Sequence, residues 1–184
     1  MMPEISLNIL DVAENSVRAG AALIKIQVEY NTKESSLTII IADDGCGMDE
    51  ETVSRVTDPF YTSRKTRDVG LGVPFFKQAA EITGGSFSIE STPGEGTTVA
   101  AVFDTSSIDC MPMGDIDSTI HTLVTCNQEI DFLYTYVKDG RSCTLDTREI
   151  KEILEGAPFD IPEVSRFLMD YLKENRESVD CGAD

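Results

Sequence analysis

The chain has 184 residues, with 15 Lys+Arg against 33 Asp+Glu and a formal net charge of -18. Apolar residues at 41% and charged residues at 26% are globular proportions, so disorder is excluded and one domain, or one domain with a small appendage, is expected. The acidity excludes binding to nucleic acid through a broad basic surface and docking on anionic membrane, and the absence of a signal-peptide pattern or a bilayer-length apolar run predicts a cytoplasmic protein.

In chain order, residues 5–19 read as an amphipathic helix, with Leu10, Ala13 and Val17 on one face and Ile9 adjoining. The alternation IKIQVEY puts Ile24, Ile26, Val28 and Tyr30 on one side of a half-buried strand. Leu37 to Ala42 is a more continuous apolar strand, expected at the centre of a sheet. A tight loop, DDGCGM at 43–48, precedes a short helix at 49–56. Residues 57–70, TDPFYTSRKTRDVG, lack periodicity and read as a loop. A helix follows at 71–83, with Pro74 tolerated in its first turn, and then two strands at 86–91 and 97–104. Residues 105–184 change character: a helix at 114–126, a hairpin around Asp139-Gly140, helices at 147–155 and 162–175, and a frayed tail, ESVDCGAD. Phe132, Tyr134 and Tyr136 read as a core stripe.

Four features carry chemistry. Asp11 and Asn15, four apart on the first helix, project from one face, and an oxygen pair at that spacing suits water and a hard cation such as Mg²⁺. In DDGCG, an Asp at a strand end can accept from an exocyclic amine while glycines let a flat base lie on backbone. Arg64, Lys65 and Arg67 make the 57–70 loop basic. GLG at 70–72 opens a helix, where backbone N–H groups suit phosphate. Neither a Rossmann nor a P-loop motif fits: Phe75 stands where the third glycine belongs, and there is no GK[ST]. The five cysteines form no CxxC pair and the lone histidine is His121, which leaves little for zinc. Cys46 lies inside the glycine motif.

In this order, LDVAENSVRAGA, DDGCGM, DPFYTSRKTRDVGLGV and GGSFSIESTPGEGTTVAAVF resemble the N box, G1 box, lid with G2 box, and closing hairpin of the GHKL superfamily, the ATP-binding domain of gyrase, heat-shock chaperones, histidine kinases and MutL-type ATPases. The resemblance covers about residues 5–104. It implies an α+β, two-layer sandwich, a mixed sheet with helices on one face, plus a small C-terminal α/β extension at 105–184. It implies ATP and Mg²⁺ as cofactors. Asn15 matches the Mg²⁺-binding asparagine, Asp43 the aspartate that reads the adenine amine, and Thr97 the threonine beside it. Gly45 and Gly47 match the G1 glycines, while Gly70, Leu71 and Gly72 match the G2 segment beside the phosphates. The lid's basic residue is Arg64 by position or Lys65 by chemistry. Asp11 occupies the general-base position, where ATPases of the superfamily typically carry Glu; Glu14 is the other nearby carboxylate.

Only four residues precede the first helix, and His121 lacks the neighbours of a phosphoacceptor motif. The resemblance therefore implies a kinase acting on a separate protein partner, as anti-sigma-factor kinases do, or else an ATP-dependent switch that works by lid ordering with little turnover. No nucleic-acid or membrane partner is expected, and a homodimer is compatible. Residues 1–104 hold 8 Lys+Arg and 16 Asp+Glu, and residues 105–184 hold 7 and 17. Nucleotide binding should therefore depend strongly on Mg²⁺, and a partner surface should be neutral or basic.

Overall fold

The computed structural model describes residues 3–57 and 71–182. Its elements are α1 (Ile5–Arg18), β1 (Leu23–Asn31), β2 (Ser36–Asp43), α2 (Glu50–Val56), α3 (Gly72–Ile82), β3 (Ser86–Thr92), β4 (Gly96–Asp104), α4 (Ile116–Cys126), β5 (Asp131–Lys138), β6 (Arg141–Asp146), α5 (Thr147–Ile153) and α6 (Pro162–Cys181). The six strands form one mixed sheet in the order β3-β4-β2-β1-β5-β6. Every neighbouring pair is antiparallel except β1 and β5. Residues 105–182 thus extend the same sheet, because their hairpin docks beside β1.

Strand side chains alternate between faces, and the registers align the apolar ones. Ile26 lies opposite Ile41 and Tyr134, and Ile41 lies opposite Val99. These side chains are all buried on one face, where they share a core with Ile9, Phe76, Ile120 and Leu168 from α1, α3, α4 and α6. The architecture is the expected two-layer α+β sandwich. The β5–β6 turn is built as the sequence suggests: Asp139 (φ 50) and Gly140 (φ 84) both take left-handed backbone, the geometry a two-residue hairpin needs.

Two local expectations are corrected and a third is borne out. The buried stripe of α1 runs through Ile5, Ile9, Val12, Ala13 and Ser16, while Leu10 and Val17 are only partly buried. The helix packs on α3 and α4 as well as on the sheet, so its covered arc is wider and turned. β2 lies at the centre of the sheet, as expected; Leu37, Ile39 and Ile41 are buried and Ile40 faces the other side, because the helices cover just one face. The tail is not frayed as far as Cys181: α6 continues through Glu177–Cys181, with Val179 buried and Asp180 tied to β5 by Tyr136 Oη at 2.8 Å and Lys138 Nζ at 3.0 Å.

Candidate functional site

A cavity of about 510 Å³ opens between α1, the loop after β2, α3 and the β3–β4 hairpin, within the range of small-molecule sites. Asp43 ends β2, and the antiparallel register sets Thr97 of β4 directly opposite it. Both line the cavity. Asp43 is oriented from two sides: Oδ2 accepts from Ser16 Oγ at 2.5 Å and Oδ1 from the Gly45 N–H at 2.9 Å. Its neighbour Asp44 does a different job, accepting from the Ala22 and Leu23 N–H groups at 2.7 and 2.9 Å. Those backbone donors hold its carboxyl below the ordinary value. Of the two consecutive aspartates, only Asp43 presents its side chain to the cavity.

The glycines hold this loop close to its neighbours. Gly47 takes φ 64, and a Cβ there would lie 2.0 Å from the Thr92 carbonyl oxygen. At Gly45 a Cβ would lie 2.8 Å from Ala19 Cβ. Thr97 Oγ1 sits 2.8 Å from Ser91 Oγ, which also accepts from the Met48 N–H at 2.8 Å. Val12, Val73, Ile89 and Val99 supply apolar walls, so a polar floor lies between surfaces suited to a flat ring.

The other end of the site is built on α1 and α3. Asn15 lines the cavity together with Arg18, which donates to Asn15 Oδ1. Gly72 opens α3 against α1, where a Cβ would lie 2.8 Å from Asp11 Cβ. Asp11 is half-buried beside that contact and is not among the residues that line the cavity. Burial pushes its carboxyl above the ordinary value, the charge of Glu14 adds to this, and Arg18 opposes it. Glu14 itself is exposed. Leu71 precedes α3 and is 43% exposed. Arg64, Lys65, Arg67 and Gly70 lie outside the described residues. Among the described residues no group of three or more His, Cys, Asp or Glu is placed to hold a metal ion. A hard cation at this end would therefore rest on Asn15, ligand oxygens and water, a donor set that suits Mg²⁺.

Ser16, Arg18 and Ser91 were not singled out from the sequence. Ser16 follows Asn15 and lies on the buried stripe of α1, a position whose 4-residue step from Val12 was available as a signal. Ser91 had none, since it depends on the β3–β4 register. Cys46 is exposed at the cavity wall. His121 has a structural place: Nε2 lies 2.9 Å from Ser165 Oγ and 3.1 Å from the Ser165 carbonyl oxygen, linking α4 to α6.

With this geometry in hand, the chain can be placed among known proteins. The family described as Histidine kinase-, DNA gyrase B-, and HSP90-like ATPase matches residues 4–107, and the chain belongs to that family. It is 31% identical over 103 residues to the signal transduction histidine-protein kinase AtoS of Escherichia coli, covering 55% of this chain and 16% of that protein. It is 32% identical over 94 residues to the sensor protein kinase FleS of Pseudomonas aeruginosa, covering 51% of this chain and 23% of that protein. The chain thus spans less than a quarter of the length of these relatives. Among solved structures, the Aquifex aeolicus MutL ATPase domain complexed with ADP superposes with a TM-score of 0.53 at 15% identity, covering 84% of this chain and 70% of that one. That likeness reaches past residue 107 into the sheet extension and shows the fold. No described helix is long and apolar enough to cross a membrane.

Proposed function

We propose that the cavity binds Mg-ATP and that the protein is a histidine-kinase-like phosphotransferase acting on a separate protein in a regulatory pathway. One observation carries the nucleotide reading: a carboxylate held by Ser16 and the Gly45 N–H, opposite Thr97, at the floor of an apolar-walled cavity. Asp43 accepts from the adenine amine, and Thr97 lies beside the same edge. Asn15 would hold a Mg²⁺ once Arg18 releases its Oδ1, and the cation would neutralise phosphate charge; Gly45, Gly47, Leu71 and Gly72 let backbone approach the nucleotide. Gly70 and Arg64 or Lys65 complete the phosphate end. Asp11 is the general base, and its raised pKa favours proton acceptance nearer neutral pH. The single histidine is engaged by Ser165, so a phosphoacceptor histidine would lie outside these 184 residues.

The second reading, an ATP-dependent switch with slow turnover, is favoured by Asp11 itself. Its side chain is one methylene shorter than Glu and stands outside the cavity lining. Incubation with γ-labelled ATP and proteins co-purified with the chain separates the two. Transfer of label to a partner supports the kinase. Tight binding with no label transferred and no phosphate released supports the switch.

A further inference from the structure

At the end of the helix layer away from the nucleotide cavity, a second cavity of about 740 Å³ opens between the start of α1, the ends of β1 and β5, the start of α4 and the last turns of α6. Tyr30 and Tyr136 wall it with rings 6.1 Å apart, and Met113 and Ile116 add apolar surface. Eight charged residues line it, five acids and three bases. Four of them close on one another. Arg176 pairs with Asp117 and with Asp180, each at 2.9 Å, and Lys138 pairs with Asp180 at 3.0 Å. Tyr136 Oη donates to Asp180 at 2.8 Å, which fixes its ring as a wall. Asp115 is engaged as the cap of α4, accepting from the Ser118 N–H and Oγ at 2.9 and 2.6 Å. Those hydrogen bonds, and after them the charge of Lys173, hold its carboxyl below the ordinary value, so Lys173 and Asp115 offset each other.

Glu4 and Glu177 are left uncommitted. Glu177 is exposed and enters no ion pair among the described residues. The Glu4 carboxylate has only a 3.5 Å contact from Ser6 Oγ. It makes no side-chain cap bond to α1, because the Ile5 and Ser6 N–H groups donate instead to the Pro112 and Met113 carbonyls at 3.0 and 2.8 Å. It lies over Gly114, where φ is 77 and a Cβ would stand 2.1 Å from Glu4 Oε2, so the loop before α4 is shaped around this carboxylate. Two free carboxylates beside two aromatic rings recognise an organic cation, through charge and through the ring quadrupoles. We infer that this cavity is a binding site for an alkylammonium or guanidinium cation, with Glu4 and Glu177 meeting the charge and Tyr30 and Tyr136 covering the apolar stem. A dication on an aliphatic stem, the polyamine class, fits best, with one charge for each free carboxylate. An anion would meet only cations already offset by Asp117, Asp180 and Asp115. The site joins α1 to residues 105–182, and no described residue lines both it and the nucleotide cavity.

Isothermal titration of agmatine, an ammonium and a guanidinium on one aliphatic stem, into the full chain at physiological salt tests this. The expected result is saturable binding at one site. Glu4→Gln and Glu177→Gln should each weaken it by about fivefold, the upper worth of a solvated ion pair. Neither amide touches the core, since Glu177 is exposed and Glu4 caps nothing. Glu174→Gln, which removes an exposed charge on the same helix outside the cavity, should bind as the wild type does. Glutarate, a dianion of similar build, should not bind. Absence of saturable agmatine binding overturns the inference. So does undiminished binding in both cavity variants, which would place the cation elsewhere. An equal loss in Glu174→Gln and Glu177→Gln also overturns it, because that is diffuse attraction to a chain of net charge -18. Binding of glutarate in place of agmatine would mean that the cavity selects anions.

Discussion

At the scale of single residues, the site depends on backbone approach as much as on side chains. Gly47→Ala would put a methyl group into the Thr92 carbonyl at a positive φ, so the loop must move away from the β3–β4 turn. The expected cost is about 1–3 kcal/mol of stability, with loss of nucleotide binding, measured by thermal unfolding and a fluorescent nucleotide. Asp11 is tested separately. If it is the base, Asp11→Asn should lower turnover by at least about 100-fold while leaving Mg-ATP affinity near wild type. Its folded pKa is raised by burial and then by Glu14, and its active form is ionised. Turnover should therefore fall on acidification at a pH above that of an ordinary aspartate, a shift that a pH–rate profile reads directly. These residues were legible because DDGCG, the Asp11–Asn15 spacing and GLG are local patterns. The helical step from Val12 marks Ser16 as a buried position but not as a partner of Asp43, and Ser91 has no local signal, because the partners of both are supplied only by the tertiary register.

At the scale of elements, α6 shows where local pattern fails. Its apolar anchors thin out to Leu168, Leu172 and Val179, so periodicity ends near residue 175. The last turns are held instead by charge: Arg176 pairs with the nearly buried Asp117 at 2.9 Å and with Asp180 at 2.9 Å, and Asp180 pairs with Lys138 at 3.0 Å. Arg176→Ala would strand Asp117 in the core, at a cost of about 3 kcal/mol. That is a fall in Tm of about 6–12 °C for a chain of this size. The same corner fixes the alkaline limit. Burial pushes Tyr30 up to about 12 and raises Tyr134 and Tyr136 as well. Unfolded tyrosines ionise near 10, so between pH 10 and 12 the folded chain holds protons that the unfolded chain releases. Stability is intact below pH 10 and falls as pH rises through that window, which denaturant titrations at stepped pH will show.

At the scale of the whole molecule, strand order was the least legible feature. The sequence contains every strand, yet nothing local tells β5 to lie parallel to β1 at the far side of the sheet from β4. That choice follows from packing α4 beside α1 and α6 beside α4, over the β5–β6 hairpin. It makes residues 105–182 a continuation of the core. The net charge of -18 sets the other global condition. A tetraanionic nucleotide approaches against that field, and Arg18, the basic residues of the 57–70 loop and one helix start offset only part of it, so affinity should collapse when Mg²⁺ is chelated.

The central claim is that Asp43 reads an adenine in the 510 Å³ cavity. Isothermal titration of Mg-ATP into the wild type and Asp43→Asn tests it most directly. The substitution keeps the size of the side chain but replaces a charged acceptor held by Ser16 and Gly45. The account predicts clear binding by the wild type and a loss of about 10–100-fold in the variant, the worth of a hydrogen bond to a charged group. Equal affinity in the two proteins would contradict it.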